Sequence, residues 1–276
     1  MILCILPVVL FLIFTISLSL FSEIEYLNTY GMIEDGNKIQ EYARIKLFPQ
    51  EVSFHQYKTV LFDTSDFLYY FWNSVLISIP GVIGLIGVSF FGGYAFAKFN
   101  FPGKRILFYC MILIVMIPYQ IMLAPQLMFL NKVNLVNTRL SVILPNIFSP
   151  FGTYLIYQFM LNIPDDCLEA AKVDGAGQFR ILVHIVLPQA KSGIISLIIL
   201  NLIDTWNIVE QPLIFIQNKF KYPLSIILSE TDGSITNNVF ACCVIFLVPL
   251  ILTLLICKEN LIEGIQKSMI KKGDIK

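Results

Sequence analysis

Charge is scarce in this sequence. Only 14% of its 276 residues are Asp, Glu, Lys or Arg, against 57% hydrophobic residues, and mean hydropathy is +0.75. A soluble domain of this size needs more polar surface than that to stay dispersed. Histidine is scarcer still: His55 and His184 are the only two, and the topology derived below puts them on opposite sides of a membrane, which excludes a His-based catalytic pair. No G-x-x-x-x-G-K-[ST] phosphate loop occurs, and "FPGKR" at 101–105 is too short to be one. The chain is therefore expected neither to bind nor to hydrolyse nucleotide. Its six cysteines, Cys4, Cys110, Cys167, Cys242, Cys243 and Cys257, show no metal spacing or disulfide framework and read as small apolar packing residues. No catalytic residue, bound cofactor, metal or nucleic-acid partner is expected.

What the sequence has instead is long apolar runs. Residues 2–21, 68–97, 106–130, 140–163 and 235–257 carry no charge, and 194–217 is interrupted only by Asp204 and Glu210. Each is long enough to cross a hydrocarbon core of about 30 Å as a helix. The expectation is an all-α membrane protein of six transmembrane helices in one domain, 1–276, with the lipid bilayer as its solvent. Run 2–21 has no basic residue before it and only Ser17 and Ser19 as weak cleavage signals, so it reads as a retained helix. Lys98, Lys104 and Arg105 crowd one short loop, and Lys258, Lys267, Lys271, Lys272 and Lys276 crowd the tail. The excess of Lys and Arg on cytoplasmic loops puts both, the two termini and loop 164–192 inside. Segment 22–66, with eight acids against four bases, lies outside.

Within the runs, Gly81, Gly84, Gly87, Gly92 and Gly93 let helices approach closely, either inside the chain or at a subunit interface. Pro118 and Pro125 remove backbone donors from the third run beside Tyr119, Gln120 and Gln126, where a kink or a solute passage would satisfy the freed carbonyls. Asp204 and Glu210 are intramembrane acids and so candidate functional groups. Trp206 offers a ring to stack on a sugar, or an interfacial anchor, and Asn207 an amide for hydroxyls. The tentative pathway set is Tyr119, Gln120, Asp204, Trp206 and Asn207.

Loop 164–192 is the mixed, soluble-looking exception. Asp165 is a fair N-cap, Asp166 and Glu169 suit the positive end of a helix, Ala170 and Ala171 favour one, and Gly175 suits a left-handed terminator. A second helix is predicted to run to about Leu187 and stop before Pro188, with Phe179, Leu182, Val183, Val186 and Leu187 on its apolar face. The first helix then projects as a docking element or serves as an ordinary connection.

Here a resemblance enters. Glu169-Ala170-Ala171, three residues, Gly175, nine residues, Ile185, one residue, Leu187-Pro188 resembles the "EAA" loop of the inner-membrane permease subunits of ABC importers. "GYAFAKFNFPGKR", "MIPYQIMLAPQLMFLNKVNLVNT", "FGTYLIYQFMLNIPDDCLEAAKVDGAG" and "DTWNIVEQPL" are similar to the carbohydrate branch, the maltose-type and multiple-sugar permeases. The likeness extends from about Asn73 to the C-terminus and leaves 22–66 unplaced. It implies a second permease subunit, as a rule a sister chain, two separate ABC ATPase subunits that carry the ATP–Mg, and an extracytoplasmic solute-binding protein. Glu169, Ala170, Ala171, Asp174 and Gly175 would form the coupling helix, with Leu187 and Pro188 ending its support. The chain departs from the family in starting its first span at once, without a basic segment, which leaves a start codon placed too late or a charge bias carried by later loops. It also keeps only an approximate glycine-rich ending. Import of a polyamine or glycerol-phosphate-type solute, and a non-transporting scaffold that recruits an ATPase, are the alternatives.

Overall fold

The computed structural model describes residues 2–30, 46–63, 65–230 and 237–273. Of the expected external segment, 31–45 and 64 lie outside the described residues, as do 235–236 of the last apolar run and Lys276. Among the described residues every regular element is helical: α1 (Ile2–Leu18), α2 (Glu23–Tyr30), α3 (His55–Lys58), α4 (Ser65–Lys98), α5 (Lys104–Met116), α6 (Tyr119–Lys132), α7 (Leu140–Ile147), α8 (Pro150–Met160), α9 (Asp165–Val173), α10 (Gln178–Ile181), α11 (Leu187–Gln189), α12 (Lys191–Trp206), α13 (Glu210–Phe215), α14 (Leu224–Ser229) and α15 (Asn237–Gly273).

Three described stretches are long and apolar enough to cross a membrane: Asp66–Lys98, Leu140–Met160 and Asn238–Lys258. The count reaches five when two bent pairs, α5 with α6 and α10–α11 with α12, each count as one span. α1 is shorter than the run that contains it. It ends at Leu18, where the Ser17 hydroxyl bonds the Leu47 carbonyl and Ser19 Oγ lies 2.6 Å from the Tyr57 hydroxyl. Those bonds tie the end of α1 to residues 47 and 57.

Three apolar runs are not the single helices that their composition suggests; one of them, 140–163, parts only at 148–149 between α7 and α8. Residues 106–130 bend by 107° between α5 and α6. Pro118 cannot donate and pushes Ile117 out of the helical region (ψ 126°), so the ladder stops and restarts at Tyr119. Pro125, by contrast, sits inside α6 without ending it. Residues 194–217 break after Trp206, and α13 restarts at Glu210 with Pro212 in its first turn, where a missing N–H costs least.

The chain divides into two compact units, whose boundaries fall within α4, just before α14 and within α15. The first comprises Met1–Ser74 and Tyr222–Ile251. Its buried residues include Leu18, Phe21 and Tyr26 in one cluster and Val60, Phe67, Leu224 and Ala241 in another. Segment 46–54 is tied back to α2, because the Glu25 carboxylate accepts from the Gln50 amide at 3.0 Å and faces Lys46 Nζ at 3.6 Å.

The second unit comprises Val75–Lys221 and Leu252–Lys276. Its core joins Leu85, Phe90 and Tyr94 of α4 to Ile156 and Met160 of α8 and Leu197 of α12. Glycine allows that approach: a Cβ on Gly93 would lie 2.8 Å from Ile156 Cγ2 and 2.9 Å from the Tyr157 amide nitrogen. Gly84 and Gly92 likewise meet Ile147 and Thr153, whereas Gly81 and Gly87 face open space. Three of the five glycines thus serve packing inside this chain.

Candidate functional site

The soluble-looking loop folds as two short helices on the core of the second unit. α9 is pinned by buried Leu168, with half-buried Ala171 beside it, whereas Asp165, Asp166, Glu169, Ala170, Lys172 and Asp174 are exposed. Burial of one leucine stabilises the attachment by about 1.5–3 kcal/mol. Val173, 87% exposed, lies at the outer tip. Gly175 adopts φ +78°, its amide bonds the Lys172 carbonyl, and the Ala176 amide reaches the Ala171 carbonyl. This pair of bonds is the Schellman closure that left-handed glycine permits.

Three local expectations are corrected. Asp165 is not the N-cap; Pro164 takes that place and Asp165 opens the helix itself. Its side chain turns instead to Lys98, at the end of α4, whose Nζ lies 2.7 Å from Asp165 Oδ1 and donates to the Ile163 carbonyl at 2.6 Å. That hydrogen bond, and the Lys98 charge behind it, hold the Asp165 carboxyl below its ordinary range. The second helix does not stop before Pro188. It passes through a wide π turn at Leu182–Val186 and continues through Leu187 and Pro188 to Gln189. A π turn loosens the ladder where the proline ring would otherwise press on the carbonyl four residues back. Its buried side is also rotated: Ile181 and Val186 are inside with Leu182 and Ile185 against them, while Phe179 and Leu187 are exposed.

A second polar constellation forms where the two broken runs restart. Gln211, buried on α13, donates to the Tyr119 hydroxyl, which lies 3.4 Å from Gln126 Oε1. Gln120 Nε2 lies 3.4 Å from both Glu210 oxygens. Gln211 Oε1 is buried without a protein partner among the described residues, a position that a water or a solute hydroxyl would satisfy. Gln126 also lines a cleft of about 590 Å³ walled by Phe129, Leu130, Leu144 and Pro145. Of the sequence candidates, Tyr119 and Gln120 belong to this constellation. Asp204 and Asn207 are exposed at the end of α12, where Asn207 spends its Nδ2 on the Ile203 carbonyl at 2.8 Å. Trp206 is 2% exposed, so its ring is buried rather than offered as a stacking face. Sequence reasoning missed Gln211 and Lys98, because neither stands out until its partner, distant in sequence, is known.

Residues 88–267, well over half of the chain, match the family described as binding-protein-dependent transport system inner membrane component. The chain belongs to this family. The permease is 31% identical over 209 residues to the arabinooligosaccharides transport system permease protein AraQ of Halalkalibacterium halodurans, covering 74% of this chain and 75% of that one. It is 28% identical over 202 residues to the sn-glycerol-3-phosphate transport system permease protein UgpE of Yersinia enterocolitica, covering 71% and 72%. Its fold matches a chain of a bacterial ABC transporter involved in the import of the acidic polysaccharide alginate, with TM-score 0.80, 19% identity, and 94% and 92% of the two chains covered. The permease therefore has the ABC-importer fold and is an inner-membrane component of a transport system that works with a binding protein.

Proposed function

We propose that the permease carries a sugar or oligosaccharide inward by alternating access, driven by separate ATPase subunits that receive α9. The observation that carries this reading is the presentation of α9: Leu168 roots it, Gly175 closes it, and Glu169, Ala170 and Asp174 are left exposed. A short helix with a small-sided middle and acidic ends suits a groove with basic groups. In this reading the whole chain acts as one transport domain of six spans with both termini in the cytoplasm. It pairs with a second permease, a sister chain, and receives solute from a binding protein outside, while ATP–Mg stays on the ATPases. Leu187 and Pro188 belong to the support beneath α9.

Tyr119 and Gln120, joined by Glu210 and Gln211, with Asp204 and Asn207 apart from them at the end of α12, supply a hydroxyl, amides and carboxylates but no cation. Such a set suits a neutral polyol better than a phosphate, which favours the sugar of the AraQ-like relatives over the glycerol phosphate of the UgpE-like ones. The test is uptake by cells that carry the complete transporter. Labelled arabino-oligosaccharide uptake should persist in excess glycerol 3-phosphate or spermidine, and should be lost in Glu169→Lys although the subunits still co-purify. Competition by either of the latter solutes would overturn the sugar assignment, and full uptake by Glu169→Lys would overturn the coupling role.

A further inference from the structure

At the far end of α4 the chain crosses in five residues, 99–103, to α5, and a recess of about 530 Å³ opens there. Its walls combine two kinds of group. Phe101, Ile106, Phe108 and Tyr157 supply apolar and aromatic surface, with the Phe108 and Tyr157 rings 4.7 Å apart in its wall. Lys104 and Arg105 supply two positive charges at the rim. Lys104 Nζ donates to the Phe99 carbonyl at 2.9 Å, and Arg105 lies over the Tyr109 ring at 5.8 Å. Neither interaction neutralises charge. Among the described residues the ion pairs are Lys46–Glu25 and Lys98–Asp165, so the rim keeps its full charge of plus two.

Depth decides what can occupy such a recess. Two membrane helices end here, one at Lys98 and one beginning at Lys104, so the rim stands at the level of the lipid headgroups and the apolar wall below it. From the rim an apolar strip runs down α5: Ile106 is 70% exposed and Leu113, two turns on the same face, 62%. We propose that this recess binds an anionic phospholipid, with the phosphate between Lys104 and Arg105 and an acyl chain along Ile106 and Leu113. A basic pocket between membrane helices selects an anionic headgroup over a zwitterionic one, because only the former adds net negative charge. The proposal depends neither on the solute nor on the coupling role of α9.

The test is native mass spectrometry of the purified full chain with phosphatidylglycerol and phosphatidylcholine of identical acyl chains. The wild type should retain phosphatidylglycerol preferentially. Each of K104Q and R105Q should weaken that preference roughly fivefold, and the double variant roughly twenty-five-fold. K104R, which keeps the charge, should bind like the wild type and shows that the site still folds. K132Q, which removes a charge elsewhere, should leave the preference intact. Equal retention by the double variant, or an equal loss in K132Q, would overturn the site. Displacement of the lipid by equimolar inorganic phosphate would overturn the lipid assignment. A dimer present in the wild type and lost in the double variant would assign the recess to a second copy of the chain and overturn the proposal.

Discussion

Replacing Lys98 by methionine keeps the side-chain stem and removes the ammonium that ties α9 to the end of α4. The Lys98 side chain is 8% exposed and makes two contacts of unequal strength, one to the main-chain carbonyl of buried Ile163 and one to the Asp165 carboxylate, whose side chain is 73% exposed. A hydrogen bond from a charged donor stabilises by about 1.5–3 kcal/mol, and an acceptor left buried and unpaired adds to the loss. The carboxylate contact contributes little, since water replaces its partner. Lys98→Met should therefore lower amide-exchange protection across residues 165–175 roughly 10- to 150-fold, and Asp165→Asn should lower it far less. The pH dependence has a definite sign. Lys98 depresses the Asp165 carboxyl below its ordinary value of 3.8, so this contribution is complete above that value and is lost only as pH falls through the lower folded value. The ratio of wild-type to Lys98→Met protection should then be the same at pH 6 and pH 8. Unchanged protection in Lys98→Met, or a larger loss in Asp165→Asn, would refute the reasoning. Uptake by the complete transporter should fall with the protection, because a loosened α9 moves without pulling on α4.

Gly175→Ala puts a Cβ at φ +78°, where no neighbour lies within 4 Å, so it should cost the loop roughly 1–2 kcal/mol from the backbone alone; Gly177→Ala, at φ −66° and equally open, should be near neutral. Exchange at residues 165–176 measures both. Gly93→Ala forces a methyl group against Ile156 and the Tyr157 backbone and should destabilise the purified chain by about 1–3 kcal/mol. Gly81→Ala, which meets nothing within 4 Å, should leave its thermal midpoint almost unchanged.

The places where the sequence read correctly are those governed by neighbours in the chain. Uncharged runs marked the apolar helices, Pro118 marked a disturbance, and Gly175 marked the end of α9, because hydropathy, a missing donor and a positive φ are local properties. The failures have an equally specific cause. Pro118 and Pro125 carry the same local signal, yet only Pro118 breaks the helix. The rotation that hides Ile181 and exposes Phe179 depends on a π turn, which no hydrophobic period announces.

The sequence by itself determined that this chain lives in a membrane and carries a short acidic helix closed by Gly175, since charge density and backbone freedom are written residue by residue. Only the tertiary structure decided that Lys98 holds that helix, that Gln211 meets Tyr119 while Trp206 is buried, and that Lys104 and Arg105, with no carboxylate partner among the described residues, line an aromatic recess. Each of these depends on which groups, distant in the chain, pack within a few ångströms of one another.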